Sequence, residues 1–443
     1  MTKLIYPTLD LFLYDLREGL GQSDAEMHQN RRGFLQKLPL TIDESVFIQR
    51  DEKYFEPEYV ELLENRTESL QFPQNWQGDG YYYPVRLNDT YGLLLDGSLT
   101  NAQSSDDLNW LQTLQAFLKE KVKVSTGTLG QSWLFSAQLP NLSGAEHEKI
   151  AKRCYEALMP GADYEDNKIG SGEFLGGHLF ECWQSNSPEQ HRDNHHIMMA
   201  FYPDEASAEQ AAKRFHPDWM RLFCYRHKML WAYGQSRVLK KRLKQAAVTI
   251  DACRQTLYRY STPQIHPHQL PQSLDEAWKI LAEYTPALNS LEQQARTMGI
   301  NLYNYQQRSR LIQEKAGQSL PFLDQLSQTV EHKYLLQIQK DHQSLSNELS
   351  LENIVGNIRD RLLIEQDRRA RTFQKFIATW GIGLATGAIV ASISGQLPAI
   401  QGIDFFLAEQ QEWIKPVTSL LWSFGAAIVA GLITKGMIGL RHR

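Results

Sequence analysis

Cysteine is scarce in this chain of 443 residues, and no two cysteines lie close together. Cys154, Cys182, Cys224 and Cys253 form no C-x-x-C pair, which excludes a zinc knuckle or a disulfide framework and leaves reduced thiols. Charge of one sign is also lacking. The 46 Lys and Arg against 51 Asp and Glu give a formal net charge of -5, without the concentrated basic face of a nucleic-acid binder, so no nucleic-acid partner is expected. A secretory leader is missing as well: Pro7, Asp10 and Asp15 interrupt the apolar run from Leu4 to Leu16, which alternates like a strand and predicts a bulk that stays in the cytosol.

Signatures of catalysis and of bound cofactors are equally sparse. GSGEFLGG at Gly170 to Gly177 misses the G-x-G-x-x-G spacing and follows the acidic DYEDN instead of an apolar strand, so it predicts no phosphate loop. DYEDNKIGSGEF lacks the glycine and terminal glutamate of a calcium loop at the required offsets. His191, Asp193, His195 and His196 in QHRDNHH are metal-competent types, yet they follow no helical ligand rule such as H-E-x-x-H and sit in a segment that looks like a hairpin loop. No local pattern aligns a nucleophile with its base. The sequence therefore predicts no catalytic residue, no cofactor and no resident metal.

What is present is patterned. Residues 1–203 read as a cytosolic mixed α/β domain, with strand candidates LDLFLYDL, YYYPVRL, YGLLLDGS, QSWLFSAQL, EFLGGHLFECW and HIMMAFY. Helices are predicted over Ser23 to Lys37, where Ser23 and Glu26 can form a capping box, and over Ala145 to Leu158. Ser185 to Asn194 is expected as a long polar loop joining two antiparallel strands. Residues 204–320 read as a long helical pair, from about Asp218 to Tyr260 and from Ser273 to about Lys315, with a kink at Pro286.

From Pro321 onward nothing obliges a helix to stop. No proline occurs before Pro398, and Gly356 is the only glycine before Gly381. A stalk over 321–376 is predicted, which as one helix into the following apolar segment is ~75 residues and on the order of 110 Å long. Its apolar seam must be covered by the preceding helices or by copies of itself in a coiled coil. Two uncharged stretches follow, IATWGIGLATGAIVASISG over 377–395 and VTSLLWSFGAAIVAGLIT over 417–434, each long enough at ~1.5 Å per residue for a core of ~30 Å.

The expected architecture is thus an α+β cytosolic domain plus a long α-helical stalk and two C-terminal transmembrane helices. Arg368, Arg369, Arg371 and Lys375 precede the first stretch and a basic cytosolic tail, 435–443, follows the second, while the loop 396–416 carries Asp404, Glu409 and Glu412. The basic flanks predict both termini on the cytoplasmic side of a plasma (inner) or internal membrane and an acidic outer loop. Gly383, Gly387, Ala391 and Gly395 recur every four residues, as do Ser419, Ser423, Ala427 and Gly431, and such small-residue faces predict helix packing, within one hairpin or in an oligomer. A second line, Thr379, Gly383, Thr386, Val390 and Ile393, with Gln396 at its outer end, could line a narrow pore or serve ordinary packing.

This order of elements, with an acidic outer loop and basic inner ends, resembles the CorA-type divalent-cation transporter superfamily. The likeness is architectural and spans essentially the whole chain. Where the family has Gly-Met-Asn, this chain reads Ser394-Gly395-Gln396-Leu397, with only Gly395 in common. The resemblance implies a homo-oligomer, a pentamer in that family, in which the first span lines a pore for an inorganic ion. It also implies a cytoplasmic basic collar near Lys375. The expected function is passive ion (divalent cation) movement across a lipid bilayer by a homo-oligomer. The alternative is a membrane-anchored sensor or scaffold whose cytosolic domain binds a ligand or partner without transport.

Overall fold

The computed structural model describes residues 2–19, 21–53, 58–123, 126–140, 143–184, 195–260 and 270–347. The chain divides into two compact units, Met1–Thr256 with His266–Leu349, and Leu257–Ile265 with Ser350–Arg443. Nearly all of the second unit lies outside the described residues.

The first unit is organised around strand β1, Lys3–Leu16. It pairs antiparallel with β5 (Thr90–Leu99) on one side and with β7 (Gly130–Gln138) on the other. Beyond β5 lie β4 (Gly78–Leu87) and β2 (Tyr59–Glu61), and beyond β7 lie β10 (His195–Tyr202), β9 (Gly177–Gln184) and β8 (Lys168–Phe174). Two short strands, β3 (Glu68–Ser69) and β6 (Gln103–Ser104), attach to β4 and β1. The pairing of β10 with β7 is parallel, and every other described pairing is antiparallel.

Because side chains alternate along a strand, β1 serves two layers. Leu9, Leu11 and Leu13 join a core that includes Phe34, Phe47, Leu114, Leu118, Ile150 and Cys154. These come from α1 (Asp24–Leu35), α2 (Glu44–Lys53), α3 (Asn109–Lys121) and α4 (Gly144–Leu158). Phe12 and Tyr14 point the other way. Phe12 meets Phe223 edge-on at 5.2 Å, and the Tyr14 hydroxyl donates to the Met220 carbonyl at 2.9 Å. Both partners lie on α6, Glu205–Tyr260. A third layer is thereby fixed.

The capping box predicted at Ser23 forms, and a second one stands at Ser143. Ser23 N–H donates to Glu26 at 2.7 Å at the head of α1, and Ser143 N–H to Glu146 at 2.9 Å at the head of α4, satisfying amides that the first helical turn cannot. EFLGGHLFECW, expected as one strand, is instead a hairpin. Leu175 and Gly176 take φ of 51° and 76° between β8 and β9, the two positive-φ residues of a tight two-residue turn. The segment 185–194 lies outside the described residues, and the strands that flank it, β9 and β10, are antiparallel as expected.

α6 begins at Glu205, before the expected Asp218, and continues through Pro217. α7 runs over Leu270–Ala316 with Pro286 inside it. The stalk differs most from expectation. Up to residue 347 it consists of α8 (Leu323–Thr329), a π-helical turn (Val330–Leu335) and α9 (Leu336–Asn347). Its seam is covered by the helices before it: Tyr284 and Tyr305 of α7 donate to the carbonyls of Leu345 and Leu323 at 2.9 and 3.0 Å. Asp341 binds Arg237 and Lys240 of α6, each at 2.7 Å. The coiled coil of expectation is therefore not found among the described residues.

Among the described residues no helix is long and apolar enough to cross a membrane. The two longest, α6 and α7, are charged along their length, as at Lys240, Lys241, Arg242 and Lys244 of α6. This corrects the expectation of two C-terminal transmembrane helices and, with it, the integral-membrane location and the transport role. The stretches that suggested them, 377–395 and 417–434, lie outside the described residues.

One buried carboxylate in the α1–α4 layer is fully satisfied. Asp51 of α2 is fully buried and accepts from Arg17 Nε at 2.9 Å and from the Tyr91 hydroxyl at 2.7 Å, with Arg31 and Arg86 at 3.4 and 3.6 Å. Removing one member of such a cluster leaves buried charge without compensation. Asp51→Ala is expected to cost about 3–5 kcal/mol in urea unfolding, with Asp51→Asn costing less. Equal, small losses for both would show that the cluster is not electrostatically coupled.

Candidate functional site

Between the sheet and α6 lies a cavity of about 510 Å³. Its floor comes from the α6-facing positions of the central strands: Thr8 of β1, Tyr81 of β4, Asp96 and Ser98 of β5, Leu134 and Ser136 of β7, and Tyr202 of β10. Its roof is one side of α6, with Glu205, Ala208, Glu209, Ala211, Ala212, His216 and Trp219. The spacing of three, four and seven along α6 puts these residues on one helical face.

On the floor stands Asp96 of β5, which the strand register sets opposite Asp10 of β1, a residue just behind the lining. Asp10 and Asp96 are 1% and 7% exposed. Directly opposed residues of an antiparallel pair hold their Cβ atoms roughly 5 Å apart, so the two carboxyl groups share one small space. Asp10 Oδ2 lies 3.4 Å from His216 Nε2, and the other ring nitrogen of His216 lies 3.4 Å from the Tyr81 hydroxyl. Asp10 Oδ1 is buried with no N–H donor, and across the strand pair the Asp96 carboxyl hydrogen-bonds to Asp10. Asp10 lies between Asp96 and Leu134 in the pairing register, both of which line the cavity.

Burial, and next the charge of Asp10, hold the Asp96 carboxyl well above the usual carboxylate range. A protonated Asp96 can then donate to Asp10. Farther out, the Tyr6 hydroxyl donates to Asp79 at 3.0 and 3.1 Å. Tyr6 has φ 47° and precedes a register shift in the β1–β7 pairing, so a bulge sets its direction. Burial and the neighbouring Asp79 push its phenol up to about 12. Thr8 and Ser98 hydroxyls meet at 2.8 Å.

The cavity lining contains Asp79, Asp96, Glu205 and Glu209 and no Lys or Arg. A second cavity, about 220 Å³ between the β4–β5 turn, α6 and α7, is different. There Lys228 pairs with Asp89 at 2.5 Å and Arg221 stacks 4.2 Å from the Tyr59 ring, so its cations already have partners.

A third polar group is closed. Ser132 Oγ lies 2.7 Å from His196 Nδ1 and 2.8 Å from His227 Nε2, and His196 Nε2 lies 3.1 Å from Glu181, which Arg226 also meets at 3.2 Å. The residue types are those of a hydrolase triad, but Ser132, His196 and Glu181 are 0–2% exposed, and neither cavity is lined by them. Burial pushes Glu181 up to about 7 and, with Arg226, holds His196 well below its ordinary value. This network ties β7, β9 and β10 to α6.

The residues singled out in the sequence fall elsewhere. Pore-lining candidates Thr379, Thr386, Val390, Ile393 and Gln396 lie outside the described residues, as do the packing positions Gly383, Gly387, Ala391, Gly395, Ala427 and Gly431. So do Arg368, Arg369, Arg371 and Lys375, and Asp404, Glu409 and Glu412. His191 and Asp193 are likewise outside them, while His195 and His196 begin β10. Among the described residues no group of three or more His, Cys, Asp or Glu could hold a metal ion. Asp10 and Asp96 were legible only as acids inside the apolar runs LDLFLYDL and YGLLLDGS, a pattern that marks buried polar groups. No family model, curated protein or solved structure matches the chain, so the likeness to the CorA-type superfamily gains no support from them.

An acid with a folded-state pKa above its unfolded one makes the protein less stable as pH rises from the unfolded value toward the folded one. Asparagine imitates the protonated acid and can donate to Asp10 at every pH. Asp96→Asn is therefore expected to match the parent protein near pH 4 and to exceed it by about 1–2 kcal/mol at pH 8 in urea unfolding. A variant less stable at pH 8 would show that favourable partners hold the ionised acid.

Proposed function

We propose that the α/β/α unit is a small-molecule-binding domain and that its ligand is an organic cation seated between the sheet and α6. The observation that carries this reading is Asp96, a buried acid facing Asp10 across the strand pair and lining a cavity that also holds Asp79, Glu205 and Glu209 and no Lys or Arg. Two carboxyl groups forced together away from water repel once both ionise. A cation beside Asp96 offsets that repulsion and takes the place of the proton the acid gives up.

Size and lining favour an organic cation. Cavities of roughly 300–1,000 Å³ are typical of small-ligand sites, and a bare metal ion would need a tighter set of ligands than the described residues offer. Tyr81, Tyr202 and Trp219 give the cavity aromatic walls, and ring faces attract ammonium groups. His216 and the hydroxyls of Thr8, Ser98 and Ser136 can orient polar parts of a ligand. The reading agrees with the ligand-binding alternative for the cytosolic domain and does not involve a membrane.

Titration calorimetry with choline and propylamine tests the proposal. Both ammonium compounds should bind with one-to-one stoichiometry, whereas the neutral isostere 3,3-dimethylbutanol and the anion propionate should not. Affinity should increase with pH as Asp96 loses its proton, by up to ~10-fold per unit where one proton is released per cation bound. Asp96→Asn should weaken the ammonium ligands by ~10-fold or more. Equal binding of choline and its neutral isostere would refute a cation site.

A further inference from the structure

We infer that the smaller cavity, between the β4–β5 turn, α6 and α7, is a second and independent site, which takes a free α-amino acid as its zwitterion, the carboxylate on Arg221 and the ammonium group on Glu58. It holds about 220 Å³, below the roughly 300–1,000 Å³ of drug-sized ligands, a size that suits a small metabolite. One face of α6, from Arg221 to Lys228, forms one wall, and one face of α7, from Thr297 to Asn304, forms another. Glu58 and the turn residues Asn88 and Asp89 close the third side.

Four charged side chains line this cavity, and they are not equivalent. Lys228 and Asp89 neutralise each other at 2.5 Å. Arg221 and Glu58 have no ion-pair partner among the described residues. The Arg221 guanidinium lies 4.2 Å from the centre of the Tyr59 ring, a contact that the ring face provides. Its N–H edge is a separate resource, and a carboxylate binds such an edge through two parallel hydrogen bonds. Among the described residues that edge meets only the Pro217 carbonyl, at 3.3 Å.

Glu58 directly precedes Tyr59, so the unpaired acid stands at the same end of the cavity as the unpaired cation. Burial holds the Tyr225 phenol above its ordinary range, and Glu58 and Arg221 act on it with opposite sign, which puts both charges within reach of one ring. A simple anion bound here would face Glu58 and Asp89, and a simple cation would face Arg221 and Lys228. A zwitterion carries no net charge and answers both unpaired groups at once. The charge balance of the lining therefore selects it over either ion.

α7 supplies the rest of the recognition. Asn301 is 3% exposed, and its Nδ2 donates to the Thr297 carbonyl at 2.7 Å. That bond fixes the amide and leaves Oδ1 as the acceptor on the cavity side, with no donor among the described residues. Asn88 and Asn304 add two more primary amides, each able to donate and accept. Such a lining suits an amino acid with an uncharged polar side chain: serine, threonine, asparagine or glutamine.

Calorimetry on the full chain at pH 7 tests the inference, with each of these amino acids beside the acid that lacks its amino group and the amine that lacks its carboxylate. For serine these are 3-hydroxypropionate and ethanolamine. Asp96→Asn serves as the background throughout, so that an amine held in the larger cavity is not counted. At least one amino acid should bind with one-to-one stoichiometry and exceed both of its analogues by ~10-fold or more. Arg221→Gln should lower that amino acid to the level of its amine, and Glu58→Gln should lower it to the level of its deaminated acid. This crossed pattern distinguishes lost contacts from a general loosening of the fold, which would weaken every ligand alike. Deaminated acids that bind as tightly as the amino acids would overturn the inference in favour of a plain anion site. Absence of binding by all of the amino acids would overturn it as well, and neither result bears on the cation site.

Discussion

Strand β1 is hydrogen-bonded on both edges and covered on both faces, and the rest of the unit depends on how its polar side chains are accommodated. A carboxylate in such a place needs a partner from a neighbouring layer, because water cannot reach it. Asp15 has one. Lys37 of the loop after α1 meets it at 2.6 and 2.8 Å, and the Thr128 amide donates to it at 2.7 Å. Asp10, five residues earlier on the same strand, has a histidine at 3.4 Å and, opposite it, a second acid whose proton serves as its donor. The same strand thus carries one acid satisfied by a lysine and one satisfied by a proton, and the second adjoins a cavity.

α6 is what turns that difference into a site. Toward its middle the helix is fastened to the sheet by aromatic packing of Trp219 and Phe223, by the Tyr14 bond to Met220 and by the buried network of Arg226 and His227. Its beginning, by contrast, carries alanines and glutamates over the polar ends of β1, β5 and β7. Large side chains hold the helix on the sheet at one end, and small ones leave room at the other. The result is a cavity of about 510 Å³ under the start of α6.

The sequence made local structure legible where local chemistry determines it. The capping box at Ser23 follows from hydrogen bonds within three residues, and alternation in LDLFLYDL identified a strand that proves to be the central one. Legibility failed where a turn or a distant layer decides the outcome. Leu175 and Gly176 break one apolar run into a hairpin through their backbone conformation, and the stalk seam is closed by α6 and α7, elements far away in sequence. The cavity was illegible for the same reason. Asp10 and Asp96 meet through strand register, 86 residues apart, and neither lies in a motif. Uncharged length alone, in contrast, directed the functional expectation to 377–395 and 417–434, which lie outside the described residues.

The acid pair also sets how stability and binding must trade against each other. A cavity whose inner acids are both neutral or fully paired would favour folding and offer a cation little. Asp96 beside Asp10 does the reverse: burial and like charge make its ionised form costly in the empty protein, and a bound ammonium group recovers that cost. Ligand that binds the folded state alone stabilises it by RT ln(1 + [L]/Kd), and cation binding is linked to release of the Asp96 proton. Sites of this kind are commonly less stable than a repacked alternative. Asp51, with an arginine on each side, shows that the same fold can satisfy a buried carboxylate fully. The absence of such an arginine next to Asp10 is therefore a property of this position and not a limit of the architecture, and it leaves the positive charge to be supplied from outside the chain.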